Sequence, residues 1–136
     1  MNKRVTIPFE ITGWDATPYD EREDGPKLAR VAVKKIYRGE IEGESTAELL
    51  TCQGADGSAA YVAIERVTGR IGERAGTFVI QHNAIHNSAD PASSKAVGIV
   101  VPNSGTGELR GLRGTAEFRH DESGTSLTFD YAIEGE

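Results

Sequence analysis

Apolar and polar residues alternate with a period of two along most of the chain, and no segment holds a helical period over ten or more residues. Residues 4–12, RVTIPFEIT, put Val5, Ile7, Phe9 and Ile11 on one face and Thr6, Pro8 and Glu10 on the other. Pro8 lacks an N–H, which argues for an edge, a bulge or a break in the ladder there. Residues 126–134, SLTFDYAIE, alternate as cleanly, with Leu127, Phe129, Tyr131 and Ile133 on one side. Between them the pattern predicts strands over 28–38, 44–53, 59–68, 75–85, 96–101 and 115–119. Turn signals separate these strands: DGPK, RGEIEG, GADGS, GRIGERAG and HDESG, with Asp56-Gly57 the best hairpin pair.

About eight short strands joined mainly by short turns predict an all-β chain in which residues 1–136 form one domain. Closing the meander into a single eight-stranded antiparallel up-and-down β-barrel removes the unpaired edges. Some strands are apolar on both faces. YVAIERV sets Tyr61, Ala63 and Val67 against Val62 and Ile64, and AVGIVV is apolar throughout. An outer barrel wall needs only a wet face, so these strands imply a cover. With no spare helix in the chain, the expected cover is a second copy, a dimer being the simplest homo-oligomer.

Composition narrows the function classes. The 136 residues carry a net charge of −6, which repels phosphate backbones and disfavours nucleic acid. No apolar run has the length of a signal peptide or membrane span, so the cytoplasm is expected and no membrane partner is. The single cysteine, Cys52, permits no intramolecular disulfide or thiolate cage and reads as a buried small hydrophobe in a strand. DEREDG at 20–25 reads as a solvated loop.

The glycine-rich stretch VPNSGTGELRGLRG, residues 101–114, raises the question of a phosphate cradle. Gly105 and Gly107 fit the first two positions of a dinucleotide fingerprint, but the third falls on Arg110. No helix follows, and no Lys-Ser or Lys-Thr pair supplies a P-loop. The glycines therefore read as turn residues, Arg110 and Arg113 as surface or interface cations, and no cofactor is expected.

The loop resembles the strand connection of allene oxide cyclases and dirigent proteins, which share an eight-stranded barrel. Taken with GWDATPYDE, KLARVAV, GEIEGESTAELL and AIERVTGRIGERAGTFVIQH, it makes nearly the whole chain similar to a bacterial family, domain of unknown function 3224. The resemblance implies the allene oxide cyclase-like (calycin-like) barrel. From the plant relatives it also implies hydrophobic ligands held inside, with cyclisation or isomerisation achieved by shaping a flexible ligand.

Three residues stand out for chemistry: Glu44, Glu65 and His82. TFVIQHNAI puts Phe78, Ile80, His82 and Ala84 on one face, the more apolar one, so His82 should point into the barrel. A hairpin turning near Glu73-Arg74 brings Glu65 opposite or near His82, provided the register does not slip by one. Such a pair can serve as acid and base of an isomerase or cyclase, or as a hydrogen-bonded lock in an apolar core. Glu44 is an equal candidate for rim or pocket lining. Trp14, Tyr61, Phe78, Ile80 and Tyr131 complete the expected lining of a site for a hydrophobic or amphipathic small molecule. The alternative is a barrel filled solid, serving as a binding or interaction protein. His82 and His86 are four apart, which on a strand spans about 13 Å, so no metal site is expected.

Overall fold

The computed structural model describes residues 2–135, and it is a closed antiparallel barrel. The strands are β1 (Lys3–Asp20), β2 (Lys27–Arg38), β3 (Ile41–Gln53), β4 (Ala59–Ile71), β5 (Arg74–His86), β6 (Lys95–Val100), β7 (Leu112–Asp121) and β8 (Gly124–Ile133). Each strand pairs with the next, and β8 returns to β1. Two short 3₁₀ turns, Pro91–Ser93 and Gly107–Leu109, are the only helical elements among the described residues. No described helix is long and apolar enough to cross a membrane.

β1 is longer than the alternation suggests. The sequence pattern ends near Thr12, yet the strand runs on to Asp20, because the register with β2 shifts between Ile11 and Gly13. That shift reverses which residues face inward. Phe9 pairs with Tyr37 before it, and Trp14 and Ala16 pair with Val33 and Val31 after it. A bulge of this kind breaks a period-two reading without ending the strand. The irregularity therefore falls at Thr12 and not at Pro8, which sits in unbroken register with Ser126. Beyond Phe9, β1 pairs with β2 alone, so one end of the barrel stands open beside a β1 overhang.

The other end is packed solid. Ile7, Tyr37, Ile41, Phe78, Ile80, Leu127 and Phe129 are fully buried in one apolar cluster, with Phe129 stacked between Phe78 and Tyr131. The glycine-rich loop plugs this end by inserting Leu109 into the same cluster. It is pinned to β5 by Thr106 N–H donating to the Thr77 carbonyl (2.8 Å) and Val101 N–H to the Val79 carbonyl (2.9 Å). Gly107 and Gly111 take positive φ values, 61° and 84°, and Gly76 lets the loop backbone touch β5. Arg110 and Arg113 are exposed. The loop is a plug.

Candidate functional site

Above the packed end, the barrel interior turns polar in a single layer. Glu65 on β4 is completely buried, and four donors converge on its carboxylate. Lys35 Nζ (2.9 Å) and His82 Nε2 (2.9 Å) reach Oε1, while Tyr37 Oη (2.6 Å) and Ser45 Oγ (2.7 Å) reach Oε2. The donors arrive from β2, β3 and β5, the strand sequence that wraps this side of the barrel. Lys35 is itself held between two aromatic faces, 4.7 Å from the Phe9 centroid and 4.4 Å from that of Phe118. No buried side-chain nitrogen or oxygen among the described residues lacks a hydrogen-bond partner.

Burial alone would raise the Glu65 pKa. The His82 hydrogen bond, the Lys35 charge and the Tyr37 hydrogen bond outweigh it and hold the group at about 2. Burial and the Glu65 charge push Tyr37 well above the usual phenol range. An ionised carboxylate only accepts, so His82 Nε2 carries a proton and donates it to Glu65. His82 Nδ1 lies 2.8 Å from Tyr61 Oη, and in the tautomer protonated on Nε2 it accepts from that hydroxyl. Burial and then the Glu65 charge raise Tyr61 to about 12, so its hydroxyl stays protonated at neutral pH.

Because the Glu65 pKa is lower folded than its ordinary 4.5, the stability it contributes is complete above pH 4.5 and is lost as pH falls towards 2. At roughly 1.4 kcal/mol per pKa unit, the loss amounts to about 3 kcal/mol. Urea unfolding at pH 7, 4 and 2.5 should show wild type losing this increment and Glu65→Gln, weaker at pH 7, losing much less. Equal losses in the two proteins would contradict the assignment.

Tyr61 is also where the polar layer meets open space. At the open end a cavity of about 320 Å³ is walled by Ala29 and Val31 of β2, Leu49 of β3, Ala59 and Tyr61 of β4 and Ala84 of β5, with Trp14 and Ala16 on the β1 overhang. The small side chains leave room where larger ones fill the opposite end. The rim is tied by Asp56, Ser58 and Ser88, which join the β3–β4 turn to the loop after β5. A second concavity, about 710 Å³, lies on the outer wall across β6, β7 and β8 and includes neither Glu65 nor His82.

The residues singled out from the sequence divide by depth. Glu65 and His82 meet directly, although their strand partners are Ile80 and Ala63, so they are diagonal neighbours. Both lie sealed beneath Tyr61 and do not line the cavity. Trp14 and Tyr61 do line it. Phe78, Ile80 and Tyr131 face inward but belong to the packed end, Tyr131 bonding Glu40 Oε2 at 2.9 Å. Glu44 faces the opposite way, exposed on the outer wall, because β3 turns Ser45 inward beside it. Cys52, read from the sequence as buried, is half-exposed. His82 and His86 share a face of β5 at different depths, His86 at the rim bonding Ser94. Lys35, Tyr37 and Ser45 escaped the sequence reading. A lysine in register with valines, in KLARVAVKK, was the available signal.

Fold and interior together define a small closed eight-stranded barrel with a solid base, one buried ionic layer and an open mouth. The model of the family described as protein of unknown function (DUF3224) matches residues 5–131, and the chain belongs to that family. It is similar to the crystal structure of a protein with unknown function from the DUF3224 family of Shewanella oneidensis MR-1, at 35% identity and a TM-score of 0.82, covering 98% of this chain and 99% of that one. No curated protein matches the chain.

Proposed function

We propose that the protein binds a small apolar or amphipathic molecule in the mouth of the barrel. The observation carrying this reading is the 320 Å³ cavity itself, walled mainly by alanine, valine and leucine, with the half-buried Tyr61 phenol inside and Thr51, Gln53 and His86 among its polar lining. Ligand sites are typically concave, mostly apolar, and marked by a few placed polar groups. Glu65 and His82 have all their hydrogen-bonding capacity engaged beneath Tyr61, which favours a role in holding that phenol over direct contact with a reacting molecule. Any chemistry would run through Tyr61.

The neutral fluorophore N-phenyl-1-naphthylamine provides the test. Saturable one-to-one binding is expected, with quenching or a shift of Trp14, the sole tryptophan. Ala84→Phe, which fills the cavity, should weaken binding at least about tenfold, the equivalent of 1.4 kcal/mol. Absence of saturable binding to the wild type, or identical binding by the filled variant, would remove the reading.

A second observation favours self-association. Leu50, Val62, Ile64, Ile85, Val97 and Ile99 stand 43–70% exposed on the outer wall of β3 to β6. They are contiguous: Leu50 opposes Val62, and Gln81 lies between Ile64 and Ile99. We propose that a second copy covers this face. Sedimentation at micromolar concentration should give a dimer that Val62→Lys with Ile64→Glu converts to monomer, and a monomeric wild type would count against it.

A further inference from the structure

The buried layer fixes more than the shape of the cavity; it fixes which way the hydrogen bond at the cavity wall points. Both oxygens of Glu65 are occupied by two donors each, and His82 Nε2–H is one of the four. The cluster balances one cation, Lys35, against one anion, Glu65. With Lys35 already matching Glu65, a ring that holds its proton on Nε2 for Glu65 leaves Nδ1 to accept. Among the described residues the group bonded to it is the Tyr61 hydroxyl, whose single proton is thereby committed inward. What remains of that hydroxyl for a guest is lone pairs. The nearby Thr51 hydroxyl likewise spends its proton on the Ala29 carbonyl.

Resting on the cavity reading above, we infer that the mouth selects an apolar molecule ending in a hydrogen-bond donor, an alcohol in the simplest case, with Tyr61 Oη as the acceptor. His82 and Glu65 are positioning residues: they orient the phenol without touching the guest. At that oxygen a ketone, ether or carboxylate of the same size would meet lone pairs with lone pairs, and the other donors of the lining, on Trp14, Gln53 and His86, are exposed to water. The apolar wall supplies the common part of the affinity, and the Tyr61 oxygen supplies the preference. A net hydrogen bond of ordinary strength sets that preference at about three- to tenfold.

The experiment compares octan-1-ol with its isomer 1-methoxyheptane and with octanoate, each displacing N-phenyl-1-naphthylamine from the wild type. Octan-1-ol should bind about three- to tenfold more tightly than the ether, and octanoate most weakly. Tyr61→Phe, confirmed folded by circular dichroism, should bring alcohol and ether to parity. A merely structural role for the Tyr61–His82–Glu65 chain would not move that ratio. Equal wild-type affinities for alcohol and ether, or a tighter octanoate, overturn the inference and leave the cavity reading standing. No binding of the fluorophore overturns both.

Discussion

Replacing Glu65 with alanine is expected to cost about 3–5 kcal/mol, the usual penalty for removing one partner of a buried ion pair. The substitution leaves the buried Lys35 ammonium without its counter-ion, against the faces of Phe9 and Phe118. It also strands the Tyr37, Ser45 and His82 donors, each of which had a carboxylate oxygen within 3 Å. A domain of this size typically holds about 5–15 kcal/mol in total, so the variant should be largely unfolded in modest urea. The double variant Glu65→Leu with Lys35→Met should recover the part of the loss owed to the unpaired ammonium, while the Tyr37, Ser45 and His82 donors stay stranded. Urea unfolding at pH 7 reads both. A loss below about 1 kcal/mol for Glu65→Ala would show that the layer does not lock the barrel.

The second large effect lies at the closed end. A Cβ on Gly76 would stand 2.0 Å from the Thr106 carbonyl oxygen and 3.0 Å from its carbon, both backbone atoms. Gly76→Ala must therefore lift the glycine-rich loop from β5, breaking the Thr106–Thr77 hydrogen bonds and withdrawing Leu109 from the core. Loss of a buried leucine costs about 2–5 kcal/mol, and the variant should fall in that range by thermal or urea unfolding. Gly25→Ala is the control. Its Cβ would meet nothing within 4 Å, so its effect should stay within about 0.5 kcal/mol. Comparable behaviour of the two variants would refute the plug.

These two sites differ in how far they could be read beforehand. The glycine spacing of 101–114 sufficed to dismiss a phosphate cradle, because the fingerprint needs a third glycine where Arg110 stands. It did not reveal that the loop seals one end with Leu109, since that depends on β5 offering Gly76 at the matching height. The Glu65–His82 pair followed from alternation and one hairpin. Its ring of donors did not, because Lys35, Tyr37 and Ser45 come from strands whose register with β4 no local pattern specifies.

The expected lining failed in an informative way. Phe78, Ile80 and Tyr131 do face inward, as their alternation requires, yet they fill the base. Facing is a property of the strand and depth is a property of the barrel: strand stagger decides which inward residue meets the mouth and which meets the plug. Trp14 reached the cavity only because the bulge at Thr12 reversed the alternation behind it.

By itself, then, the sequence determined the all-β barrel, the inward face of most strands and the meeting of one carboxylate with one imidazole. Side-chain period and turn chemistry act over a few residues and can be read locally. The tertiary structure alone decided that the pair is sealed under Tyr61, that Lys35 neutralises it, and that space remains at one end. Those facts depend on heights and neighbours set by closing eight strands around one axis. A linear pattern carries no measure of that closure.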